Sequence, residues 1–198
     1  MRDDRGQAFP IYIAAIGALL FLAVAYFAVG QAAATRNDAQ GAADAAALAA
    51  AQDARDQLGK GLLEAITDPG QWGDIIGGEG IEYGPACAAA QEFAAKNDAD
   101  TTACDRVYAP DDGFKVSVRT KGVVGDSLVP GTEDKHAEAT ATAVIESKCK
   151  LGEPPEEGDE KEPPLELECD GGGDWTIDPG DLDLFPKPSD LFSVHLVD

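Results

Sequence analysis

Basic and aromatic residues are both scarce in this chain. Only 15 Lys and Arg stand against 37 Asp and Glu in 198 residues, a formal charge of -22. That balance disfavours a nucleic-acid partner, and none is expected, because neutralising phosphates requires a basic surface. Aromatic residues make up 7% of the chain, too few for a large close-packed core, and much of the 44% hydrophobic content is alanine. Four cysteines and two histidines cannot build a multi-zinc framework. No internal repeat is visible. What remains is an acidic, alanine-rich protein with its hydrophobicity concentrated at one end.

From Gly6 to Thr35 there are 30 consecutive residues without a charge, and Ile11–Val29 is almost wholly apolar. A helix needs roughly 20 such residues to cross a bilayer. Tyr12 and Tyr26 lie 14 residues apart, which places them near opposite interfaces of the bilayer as an aromatic belt. Pro10 falls at a first helical turn, where proline costs little. The apolar core exceeds the roughly 7–15 residues of a cleavable signal, although Ala32 and Ala34 form an A-x-A pattern. A buried core helix is the weaker rival, since so few aromatics are present to cover it. Arg2 and Arg5 precede the span and only Arg36 closely follows it. The positive-inside bias therefore predicts a cell-membrane protein with a cytoplasmic N-terminus and residues 31–198 extracytoplasmic.

After the span, 12 of the 20 residues Ala32–Ala51 are alanine, the best helix former, and Gly59 and Gly61 offer a stop. Such small side chains permit close approach to a partner helix or sheet; a solvated stalk is the alternative. Further on, Asp68-Pro69-Gly70 reads as a turn and Gly73–Gly84, with five glycines, as a loop. Ala86–Lys96 reads as a helix closed by Asn97-Asp98. Phe114, Val116 and Val118 alternate with Lys115, Ser117 and Arg119. Ala137–Ile145 alternates in the same way, and both runs predict half-buried strands, joined through Asp126–Asp134 with Pro130-Gly131.

Residues 150–198 hold 15 acids and three bases, with Pro-rich acidic linker sequence at Glu153–Glu157 and Glu162–Pro164. Trp175, Leu182, Phe185 and Leu191–Val197 are too apolar for disorder and predict a docked short strand or arm. The whole is expected to be α+β: one N-terminal transmembrane helix continuing into an Ala-rich helix, packed on a small antiparallel sheet. The predicted divisions are a short cytoplasmic N-terminus 1–7, a transmembrane helix 8–30 and an Ala-rich helix 31–59. A small extracytoplasmic α+β domain follows at 60–148, then an acidic Pro/Gly-rich tail with an apolar C-terminal arm at 149–198.

Sites for chemistry are thin. His195 with Ser193 has no orienting acid, His136 sits among Thr and Glu on a presumed strand, and Gly171-Gly172-Gly173 lacks the strand and lysine of a phosphate loop. No catalytic, cofactor or metal site is expected. The one weak metal pattern is Asp170, Asp174, Asp178 and Asp181, at positions 1, 5, 9 and 12 of an EF-hand-like loop. Gly172 and Trp175 occupy positions where an acid and a glycine are wanted, so solvated acids are the default.

Arg5-Gly6-Gln7-Ala8, an apolar span, and then Gln40–Ala51 with Ala43, Asp44, Ala45 and Leu48 in the run ADAAALAA resemble the TadE/TadG-like family of Flp (tight-adherence) pilus assembly proteins. The resemblance covers roughly residues 4–52. It implies a non-enzymatic single-pass protein, pseudopilin-like or TadG-like, that partners the lipid bilayer and other pilus-assembly membrane proteins. Ile11 stands five residues after Gly6, where processed pseudopilins carry Glu, and no Asp-x-Ser-x-Ser motif of longer TadG-type members is present. The alternatives are an anchored extracytoplasmic binding or scaffolding domain unrelated to pili and, last, an anchored envelope enzyme.

All four cysteines follow the span. Outside the membrane an even count fits disulfides, and three connectivities are open. Cys87–Cys104 and Cys149–Cys169 are favoured because each brackets a short segment in need of a tie. The first would hold the Ala86–Lys96 helix to the chain entering the sheet. The second would close the acidic excursion.

Overall fold

The computed structural model describes residues 8–108, 111–123, 134–152, 163–170 and 173–197. Helix α1 (Ala8–Glu64) runs unbroken for 57 residues, about 85 Å at 1.5 Å per residue. Its two halves have opposite surroundings. Every large apolar side chain from Phe9 to Val29 is exposed, whereas Ala39, Ala43, Ala46, Ala47, Ala50, Ala54, Leu58 and Leu62 are buried at helical spacing. Gly59 and Gly61 do not stop the helix, contrary to expectation. Leu58 and Leu62 flank them in the core, and burying both outweighs the roughly 1 kcal/mol that a helical glycine costs. Gly59 has a packing use as well, since a side chain there would collide with Pro188.

The chain turns after Glu64 and starts α2 (Pro69–Ile76). The predicted Asp68-Pro69-Gly70 turn is in fact the head of this helix. Asp68 is the N-cap and accepts from the Gly70 N–H, and Pro69 takes the first helical position, where no N–H is needed. Buried Trp72 donates its indole N–H to the Ala65 carbonyl at 2.9 Å, locking α2 onto the end of α1. The predicted loop is short because Gly73 lies in α2 and Gly84 in α3 (Tyr83–Lys96). Helix α3 runs antiparallel to α1. At one end Gln57 donates to the Glu82 carbonyl and accepts from its N–H. At the other, Asn37, Asp38 and Gly41 line one cleft with Lys96, Asn97 and Asp98. Ala86, Ala90 and Ala94 are buried at intervals of four, and α3 packs on the alanine-rich part of α1. Small side chains on both helices let the backbones approach closely.

Three long strands follow: β1 (Ala99–Val107), β2 (Asp112–Val123) and β3 (His136–Ser147). A second, three-stranded sheet comprises β4 (Cys149–Leu151), β5 (Leu165–Cys169) and β6 (Trp175–Ile177). Then α4 (Pro188–Leu191) leads into β7 (Phe192–Val197). The larger sheet has the order β1-β2-β3-β7 and the smaller β4-β5-β6, with every pairing antiparallel. Phe114, Val116 and Val118 are fully buried toward α1, and Ala141, Ala143 and Ile145 join them from β3. Between them, Lys115, Ser117 and Arg119 face away, pairing across strands with Asp105, Ala103 and Asp100.

The described parts of 149–197 are not a tail. Leu165, Leu167, Ile177, Leu191 and Phe192 belong to the same core as Ala43 and Phe114. The expected arm is β7, an edge strand against β3. The Pro-rich linker 153–162, Pro130-Gly131 and the N-terminal 1–7 lie outside the described residues.

Candidate membrane anchor and the domain built on it

Thirteen large apolar side chains between Phe9 and Val29 stand in the open. Leaving one such side chain in water rather than in an apolar medium costs about 1.5–3 kcal/mol. The row together therefore exceeds the roughly 5–15 kcal/mol by which a domain is stable. A surface of this size needs a cover, and this part of α1 is long and apolar enough to cross a membrane. No part of that stretch is buried within the protein, which sets aside a core helix.

Ala43 and Ala47 do not offer a face to a separate partner, nor do they line a solvated stalk. Both are fully buried within the chain, where α1 packs on β2, β3 and α3. Leu48 packs against the same core, while Asp44 and Ala45 are half-buried and Asp44 accepts from Gln40 Nε2 at 2.8 Å. Arg5, Gly6 and Gln7 lie outside the described residues.

Cys87 on α3 is bonded to Cys104 on β1, with Cα atoms 6.0 Å apart. Cys149 on β4 is bonded to Cys169 on β5, 4.0 Å apart. The first bridge ties a helix to an edge strand. The second joins directly opposed residues of the smaller sheet.

The acidic-loop residues do not converge. Asp178 accepts from the Gly180 N–H at 2.8 Å and Asp181 from the Asp183 N–H, each within its own turn. Among the described residues, Asp170 and Asp174 join neither of them, nor any other His, Cys, Asp or Glu, in a group of three able to hold a metal. Ser193 and His195 share an edge strand, but the serine hydroxyl donates to the Glu146 carbonyl. His136 Nδ1 donates to the Thr120 carbonyl at 2.7 Å, which fixes a strand end. A cleft of about 410 Å³ opens between the end of α2 and the distal ends of β3 and β7, lined by Leu58, Ile76, Tyr108, Asp112, Glu146 and Phe192 among others. Among the described residues its lining holds no histidine, cysteine, lysine or arginine.

A structural tie that sequence reasoning missed borders this cleft. Arg106 donates to Asp112 and to the Gly78 carbonyl, both at 3.2 Å, and stacks over Tyr108. Gly78 has φ +92°, and a side chain there would press on the Asp112 carboxylate. The Arg-Asp pair thus pins the α2–α3 turn to the β1–β2 hairpin.

The deciding observation is that the exposed apolar row and the buried alanine row are one helix, in the order span and then ADAAALAA. Residues 6–53 match the putative Flp pilus-assembly TadE/G-like family. The TadE/G-like segment therefore comprises the apolar span and the first part of the alanine-rich packing stripe, ending within α1. No curated protein and no solved structure matches the chain.

Proposed function

We propose that this protein is a non-enzymatic, single-pass component of a Tad/Flp-type pilus or secretion apparatus, TadG-like or pseudopilin-like. In this reading its N-terminus is cytoplasmic and residues 31–198 form an extracytoplasmic domain. The observation that carries the reading is the match of residues 6–53 to the pilus-assembly family over a helix whose first half is bare and apolar. Two disulfides suit an oxidising compartment outside the cytoplasm. The positive-inside bias of Arg2 and Arg5 supports the same orientation. Its partners are then the bilayer and the other membrane proteins of the apparatus, met through surfaces other than Ala43 and Ala47.

The test is affinity purification of the full chain from envelopes in mild detergent, followed by mass spectrometry. Pilus-assembly membrane proteins should be recovered with it, and pilus formation should fail when its gene is deleted. Unchanged pili and a partner set without any such protein would replace this reading by an anchored scaffold unrelated to pili.

A further inference from the structure

Helix α1 fixes the height of the domain above the membrane. Taking Pro10–Val29 as the roughly 20 residues that cross, only Gly30–Asp38 separate the span from Ala39, the first buried residue of the alanine row. Nine helical residues rise about 14 Å, and the headgroup layer takes roughly 5–7 Å of that. No hinge interrupts the helix there. The near end of the domain is thus held within about a Debye length, ~8 Å at physiological salt, of the lipid headgroups.

That end is built from four segments. They are Thr35–Gly41 of α1, the junction Lys96–Asp100 between α3 and β1, the end of β2 and the start of β3. Thr35, Asp38, Lys96, Asp98, Thr120 and Val123 line one cleft there. The Lys121 N–H donates to the Asp98 carbonyl at 2.7 Å, and Val123 pairs with His136.

The charge of this end departs from the rest of the chain. Among the described residues, Arg36, Lys96, Arg119, Lys121 and Lys135 stand there with Asp38, Glu92, Asp98, Asp100, Asp134 and Glu138, five bases to six acids, whereas 37 acids face 15 bases overall. Lys96 and Lys121 remain about half exposed although they pair with Glu92 and Asp100. The Lys96 ammonium, hydrogen-bonded to Glu92, holds that carboxyl below its ordinary range. Long basic side chains reach outward further than the short aspartates between them.

We propose that this end of the domain is a lipid-facing floor, whose Arg36, Lys96, Lys121 and Lys135 contact the phosphates of anionic phospholipids in the bilayer that α1 crosses. The acidic remainder of the chain is repelled by the same surface, which favours the end carrying these four basic side chains as the one that faces it. The proposal rests on the anchoring reading above.

Full-length protein carrying a single added cysteine, labelled with a fluorophore, tests it in nanodiscs of phosphatidylcholine with and without phosphatidylglycerol. Nitroxide-bearing lipids serve as quenchers. The labels are placed by Val123→Cys at the floor, Leu184→Cys at the far end and Leu20→Cys in the span; all three positions are exposed. A headgroup nitroxide should quench the floor label and leave the far label bright, more strongly with phosphatidylglycerol. Reversing Lys96, Lys121 and Lys135 to Glu should weaken the contact by at least roughly a hundredfold, about fivefold for each positive charge lost, and return the floor label to the far label's level. An acyl-chain nitroxide should quench the span label throughout. If the span label is quenched but the floor label stays as bright as the far one, or ignores lipid charge and the lysine reversals, the floor is wrong while the anchor stands. A span label that stays bright overturns the anchor and the floor with it.

Discussion

At Ala43 and Ala47 a one-carbon side chain lets α1 pack closely on both the sheet and α3, and both positions are fully buried. Leucine at either site adds three carbons where backbones are already close. Ala47→Leu should cost about 1–3 kcal/mol of stability, read by chemical denaturation of the purified protein, with membrane insertion unchanged. If the variant is as stable as the parent, the packing described for α1 is wrong. Gly113 is a second such place. A Cβ there would run into the Ala143 carbonyl and sit 2.8 Å from the Val144 Cα, and backbone cannot step aside as a side chain can. Gly113→Ala should therefore cost at least about 1–3 kcal/mol, and a neutral result would show that β2 and β3 are further apart than described. At half-buried Gly61, where an added Cβ would meet nothing within 4 Å, the same change should be stabilising, by up to about 1 kcal/mol.

Among the elements, those with a clean period were legible in the sequence and those without were not. The span, the α3 helix and the strands at Phe114–Val118 and Ala137–Ile145 show unbroken apolar runs, helical composition or strict alternation. Strand β1 hides because a bulge between Thr101 and Ala103 breaks its alternation, and because its inward residues include Cys104 and Arg106 rather than aliphatic ones. The α1 stop was misplaced since glycine propensity is local, whereas Leu58 and Leu62 are held by the core. The smaller sheet was hidden by composition: Leu165 and Leu167 point inward while Glu166 and Glu168 point out, so a half-buried central strand reads as an acidic linker. Cys149–Cys169 joins two of its three strands. Replacing both cysteines by serine should cost about 3 kcal/mol in the chain-entropy account of a loop of this length. Hydrogen exchange should rise first in β4–β6 and little in β1–β3. Uniform loosening of both sheets would contradict the division between them.

In the whole molecule, one helix serves two solvents. Its first half is too apolar for water and its second half carries the core of an acidic domain. The candidate site was legible in the sequence to the extent that it is the span itself, an uncharged run that needs no tertiary contact to be recognised. The burial of the alanine face within the chain was not, because alanine suits a stalk, a partner or a core equally well. Anchoring and orientation are tested together by adding protease to intact, wall-stripped cells that produce the full chain with one epitope before Met1 and another after Asp198. The expected result is loss of the C-terminal epitope, with the N-terminal epitope kept in a membrane-bound fragment that contains the span. A protected C-terminal epitope would contradict the orientation, and release of a soluble protein beginning near Thr35 would contradict the anchor.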